Sequence, residues 1–145
     1  MPTSRIVSTV ATRDAMKSGW DDVITWTRKA ILEYPQLAPD LPDTVFPGEF
    51  TLQGGRVQAI YTGPSHTHDG IFVVFPEEKV LYGGCILKEH LGNLDFADVA
   101  EYANTLRTLK QRNLDFTTII AGHYSPIHGP ELIDQYIELL TRRPQ

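Results

Sequence analysis

Five apolar residues, Ile71-Phe72-Val73-Val74-Phe75, stand in an unbroken run between Gly70 and Pro76. The run is too short for a helix and is bounded by breakers, so it reads as a strand. Successive side chains of a strand point to opposite faces, and a sheet with one wet face therefore alternates apolar with polar residues. A run without alternation needs both faces covered. Any fold open to this chain must place a layer on each side of that strand.

The supply of layers is limited. Glu49–Gln53 and Val57–Thr62 read as strands joined by a hairpin turn at Gln53-Gly54-Gly55-Arg56, and with Gly70–Phe75 they form an antiparallel meander. Pro76-Glu77-Glu78-Lys79 turns the chain into a further strand, Val80–Tyr82. Ile6–Val10 and Thr117–Ala121 add two short ones. Thr12 is expected to cap a helix that starts near Arg13 and pauses at Gly19. A second helix follows from Asp21, with Val23, Ile24, Thr27, Ala30 and Ile31 at helical spacing and Pro35 beyond its end. Asp95 is expected to cap a third, marked by Phe96, Val99, Ala100, Ala103 and Leu106. Pro130 opens the last, with Leu132, Ile133, Tyr136, Ile137 and Leu140 on one stripe. The fold class is thus α/β (α+β), one mixed sheet with helices on one face, and this sequence leaves the second face of the sheet uncovered. The Pro-rich stretch from Pro35 to Pro47 reads as an internal connection within one domain, residues 1–145.

Thirteen Lys and Arg against 18 Asp and Glu give a net charge of -5, so no positive field recruits a phosphate backbone and nucleic acid is not an expected partner. No apolar stretch approaches the roughly 20 residues of a membrane-spanning helix. The segment Met1–Val7 lacks the apolar core and small-residue cleavage site of a secretory signal. A single cysteine, Cys85, excludes an intramolecular disulfide and leaves a lone thiol to be explained.

The thiol has suggestive neighbours. His66 and His68 precede the Gly70 strand, Cys85 follows Val80–Tyr82, and His123 follows Thr117–Ala121. Strand ends converge on one rim of a sheet, so these residues can meet there. Thiolate with imidazoles is a zinc donor set, and three ligands leave a fourth position for a water that ionises near neutral pH. Plainer readings stand beside this one. A lone cysteine is commonly inert packing, two histidines in a polar loop are ordinary, His90 reads as solvated, and His128 reads as contacting the turn before the last helix. Four ligands, His66, His68, Cys85 and His123, would instead make a closed site with no room for water.

The ordered blocks Gly63-Pro64-Ser65-His66-Thr67, Gly70–Pro76, Val80-Leu81-Tyr82-Gly83-Gly84-Cys85-Ile86-Leu87-Lys88-Glu89, Leu91-Gly92-Asn93-Leu94, Gly122-His123 and Ser125–Asp134 resemble the metallo-β-lactamases, within them the mono-zinc, carbapenem-selective subclass. The resemblance runs from about Val7 nearly to the end. It implies that Cys85 and His123 are zinc ligands, that His66 is the histidine of the neighbouring metal position beside the reacting centre, that Lys88 binds the substrate carboxylate, and that Asn93 lies beside the lactam carbonyl. It also implies a four-layer αββα sandwich of two similar halves, of which this sequence matches the C-terminal one. The Asn/His-x-His-x-Asp segment whose aspartate completes the zinc site has no counterpart, and Tyr124 stands where an acidic residue is expected. The complete protein is then expected to be a periplasmic zinc enzyme that opens the β-lactam amide of carbapenems. This chain alone, with an incomplete zinc site, is expected to be inactive and to form a homodimer through the uncovered sheet face, sheet on sheet or by exchange of an element. The alternative is a non-catalytic dimerising or metal-binding half-domain.

Overall fold

The computed structural model describes residues 5–142, so the readings placed on Met1–Ser4 lie outside the described residues. The contacts divide the chain into two compact units on either side of the Pro47/Gly48 bond, where the sequence reading counts one domain.

The first unit holds strand β1 (Val7–Thr9), helix α1 (Val10–Ala30) and strand β2 (Thr44–Phe46). β1 and β2 pair in parallel, Val7 opposite Thr44 and Thr9 opposite Phe46. The expected cap moves from Thr12 to Thr9, whose hydroxyl accepts from the Thr12 N–H at 3.0 Å. The helix also runs without a pause through Gly19, which costs about 1 kcal/mol relative to alanine but breaks no hydrogen bond. Of the predicted stripe only Ile24 is buried, while Val23, Ala30 and Ile31 are exposed. β2 lies inside the stretch expected to be only a connection; its three residues are too few to show a pattern.

The second unit is a six-stranded mixed sheet with two helices on one face. Its strands are β3 (Glu49–Leu52), β4 (Val57–Ile60), β5 (Phe72–Phe75), β6 (Val80–Gly84), β7 (Thr118–Ala121) and β8 (Ile127–His128), paired in that order. The meander β3 to β6 is antiparallel as expected, β6 and β7 are parallel, and β8 adds an antiparallel edge too short to read from sequence. Between β6 and β7 the chain crosses over through helix α2 (Val99–Gln111), and after β8 it ends in helix α3 (Leu132–Thr141). α2 begins later than expected. Asp98, not Asp95, caps it by accepting from the Glu101 N–H at 3.1 Å, while Asp95 lies in a preceding turn where its N–H donates to the Asn93 side chain. Phe96 and Val99 consequently fall off the buried stripe, which is Tyr102, Ala103, Thr105, Leu106 and Leu109.

Those residues pack with Leu132, Ile133, Tyr136 and Leu140 of α3 on Ile60, Phe72, Val74, Leu81 and Ile119 of the sheet. The apolar run on β5 is divided between two environments. Phe72 and Val74 are fully buried under the helices, whereas Val73 and Phe75 on the opposite face are only half-buried. Registers align that opposite face into a row across all six strands, Phe50, Ala59, Val73, Tyr82, Ile120 and Ile127. Tyr82 and Ile127 in it are 45% and 71% exposed.

Candidate active site

Two strand ends create the centre of the site. Gly122 N–H donates to the Gly84 carbonyl at 2.8 Å, locking the end of β7 onto the end of β6. The approach is so close that a Cβ on Gly122 would lie 2.7 Å from the Gly84 carbonyl carbon and 2.8 Å from the Cys85 nitrogen. Only glycine fits, and the next residues of both strands emerge side by side. The Cys85 sulfur lies 3.3 Å from His123 Nε2. Both side chains are exposed at the rim.

The turn after β6 is anchored from below. Tyr102, fully buried on α2, donates its hydroxyl to the Ile86 carbonyl at 2.7 Å, and Tyr136 on α3 donates to the Leu91 carbonyl at 3.2 Å. Lys88 lies between those anchors and Asn93 two residues beyond the second. A second turn brings His66: Ser65 N–H bonds the Thr67 carbonyl, the Asp98 N–H bonds the Ser65 carbonyl, and the Thr105 hydroxyl donates to the Pro64 carbonyl. Gly63 is needed for that last contact. It sits at φ +132°, and a Cβ there would lie 2.7 Å from the Thr105 oxygen.

These turns surround a cleft of about 190 Å³ lined by His66, Lys88, Gly92, Asn93, His123 and Tyr124. Lys88 is 3% exposed, and its ammonium has no carboxylate or hydrogen-bond partner among the described residues. Burial pushes its pKa below the ordinary lysine value, offset in part by Cys85. His66 is likewise held below the ordinary histidine value, first by burial, then by the Lys88 and His123 charges. It is therefore neutral near pH 7, and its Nδ1 is buried without a partner. The Asn93 Oδ1 accepts from the Asp95 N–H at 2.7 Å, which leaves the Nδ2 end to donate.

The sequence-derived residues are thus brought together: His66, Lys88, Asn93 and His123 line one cleft, with Cys85 against His123. His68 is not among them; it is exposed, and only its carbonyl is engaged, by the Tyr61 hydroxyl. The closed four-ligand arrangement is accordingly not formed, since no group of three or more His, Cys, Asp or Glu among the described residues is placed to hold a metal. Cys85 and His123 do fit two corners of a zinc tetrahedron, whose sulfur and nitrogen donors stand about 3.5 Å apart. The described residues do not supply the third. Sequence reasoning missed Gly92 as a lining residue and the packing of His90 on Tyr124, for neither of which the residue type gives a signal.

A match to the metallo-beta-lactamase superfamily extends over residues 5–123, through the His66 turn, the Cys85 turn and His123. The chain belongs to the metallo-beta-lactamase superfamily. It is 33% identical over 102 residues to a metallo-beta-lactamase type 2 of Bacteroides fragilis, covering 63% of this chain and 41% of that protein. It is 32% identical over 75 residues to a metallo-beta-lactamase type 2 of Pseudomonas aeruginosa, covering 51% and 30%. Among solved structures, VMB-1 superposes with a TM-score of 0.70 at 22% identity over 93% of this chain and 55% of that one. This superfamily member therefore spans less than half of the length of those two relatives and about half of VMB-1. It shares with the solved structures the mixed sheet and its covering helices.

Proposed function

We propose that this chain carries the cysteine side of a zinc-dependent β-lactamase of the mono-zinc, carbapenem-selective kind, and that the complete protein works in the periplasm. The observation that carries the reading is the Cys85 and His123 pair, 3.3 Å apart, at the edge of a cleft also lined by Lys88, a largely buried side chain whose ammonium has no carboxylate or hydrogen-bond partner among the described residues. Such a cation costs stability unless an anion completes it, and a β-lactam substrate brings a carboxylate. With that carboxylate on Lys88, the Asn93 Nδ2 donates toward the lactam carbonyl, where negative charge develops as the amide opens. His66, kept neutral, accepts a proton from the attacking water. A zinc ion held at Cys85 and His123 would supply Lewis acidity and an ionised water. The described residues supply no third protein ligand, so on this reading the chain by itself is a weak metal site and a negligible catalyst.

Two measurements test this. Cobalt titration should give a sulfur-to-cobalt absorption band that disappears in Cys85→Ser, and zinc-supplied chain should not open imipenem faster than zinc-containing buffer. A cobalt spectrum indifferent to Cys85 refutes the metal assignment. Imipenem turnover by homogeneous chain, lost in Cys85→Ser, refutes the incomplete site.

The alternative, a non-catalytic half-domain, is favoured by the two-donor metal set and by the apolar row across the sheet. We propose that a second copy covers this row, making a homodimer. The row Phe50, Ala59, Val73, Tyr82, Ile120 and Ile127 carries no charge, so a two-fold-related copy meets it without like-charge repulsion. Each large side chain fully buried there contributes about 1.5 to 3 kcal/mol. A monodisperse monomer at tens of micromolar in sedimentation would sink the dimer.

A further inference from the structure

Among the described residues that line the cleft, Tyr124 carries the one phenyl-type ring, and three features hold it there. Its backbone sits at φ +62°, a region sparsely populated by residues that carry a Cβ and sustained only where the surroundings impose it. The surroundings do impose it. The next residue, Ser125, donates its N–H to the Glu89 carboxylate at 3.1 Å and accepts at its carbonyl from His128 Nε2 at 2.6 Å. The Ser125 contact is also the main reason the Glu89 pKa lies below the ordinary glutamate value. The Tyr124 ring itself meets the His90 ring edge to face, centroids 4.9 Å apart and planes at 80°. Despite this support the side chain is 60% exposed. An aromatic ring fixed in a strained backbone and left open to solvent beside a buried cation has a face to offer a ligand.

We infer that Tyr124 is a specificity-determining platform: among carboxylates docked on Lys88, it selects those carrying a flat apolar group next to the charge. The inference rests on the carboxylate role of Lys88 proposed above and adds the second half of the ligand's description. Two anchors define such a ligand, an anion at the buried end of the cleft and an apolar plane at its mouth. Stacking on an aromatic face is worth a factor of roughly 3 to 10 in affinity.

Heteronuclear NMR titration of the full chain with acetate, phenylacetate and cyclohexylacetate separates the two anchors. Wild type should bind phenylacetate roughly 3- to 10-fold more tightly than acetate, with cyclohexylacetate between. Tyr124→Gly, whose residue suits the positive φ and so preserves the loop, should bring the phenylacetate to acetate ratio to about one. Tyr124→Phe should retain the wild-type ratio. A ratio that survives in Tyr124→Gly overturns the platform. Acetate binding that survives Lys88→Met overturns the carboxylate reading of Lys88 instead, and a wild type that binds none of the three overturns both.

Discussion

Replacing Lys88 by methionine should stabilise the protein while abolishing its affinity for carboxylates. Lys88 is 3% exposed, and among the described residues its ammonium has no partner that repays desolvation. Methionine has nearly the same unbranched length and no charge. Exchanging a buried ionic group for an apolar one of similar volume gains about 1 to 4 kcal/mol, and leaving a charge without a partner places this site within that range. The second unit contains no tryptophan, both being at positions 20 and 26, so unfolding is best followed by near-ultraviolet circular dichroism of the packed Tyr102 and Tyr136 rings. With a urea slope of about 1 to 3 kcal/mol/M, a gain of about 2 kcal/mol raises the midpoint by about 1 M. The sign of the pH dependence is fixed. The folded-state pKa of Lys88 is lowered, so the penalty is fully present below that folded pKa and is relieved as pH rises through it toward the unfolded value. The advantage of Lys88→Met should therefore be widest near neutrality and shrink on the alkaline side. A midpoint at pH 7 equal to or below wild type, or a gap independent of pH, would show that the ammonium already has its counter-charge.

Three further outcomes follow from the geometry. Gly122→Ala should cost about 2 to 4 kcal/mol or pull the ends of β6 and β7 apart, since the added carbon meets backbone that has nowhere to move; the cobalt titration should then lose its Cys85-dependent band even where circular dichroism shows a folded chain. Burial raises the pKa of both Tyr102 and Tyr136, so their contribution is complete below the unfolded value near pH 10 and is lost as pH rises beyond it; Tyr102→Phe should lower stability by about 1 to 3 kcal/mol at pH 7, by stranding the Ile86 carbonyl, and flatten the alkaline decline in the urea midpoint. Tyr82→Lys combined with Ile127→Lys puts two charges into the apolar row and should shift sedimentation from dimer to monomer without altering the far-ultraviolet spectrum, a prediction lost if the association constant does not change.

The strands were legible because their residues carry period and punctuation: Gly70 and Pro76 bracket β5, and Gly54-Gly55 marks the hairpin. The helix starts were not. Thr9, Thr12, Asp95 and Asp98 are all competent caps, and the choice falls to tertiary contacts such as the Asp98 N–H on the Ser65 carbonyl, which no local pattern encodes. Helix α1 ran through Gly19 because a residue with nothing within 4 Å of its missing Cβ has no packing reason to break. At the site, Cys85, His123, His66, Lys88 and Asn93 were marked by residue type and by ordered blocks. Their convergence depends on the parallel pairing of β6 and β7 across 38 residues, which a sequence states only through its resemblances. Of the clamp, only a turn contact of His128 was legible; Glu89 and His90 read as surface residues until their partners are known.

The hydroxyls of Tyr102 and Tyr136 moor the two stretches of chain that carry Lys88 and Asn93, and both rings belong to the helical layer beneath. The reach of the site therefore extends into the interior. A substitution that slides α2 against α3 by a fraction of an ångström drags the moorings with it, so affinity for a ligand can be retuned from positions that never meet one.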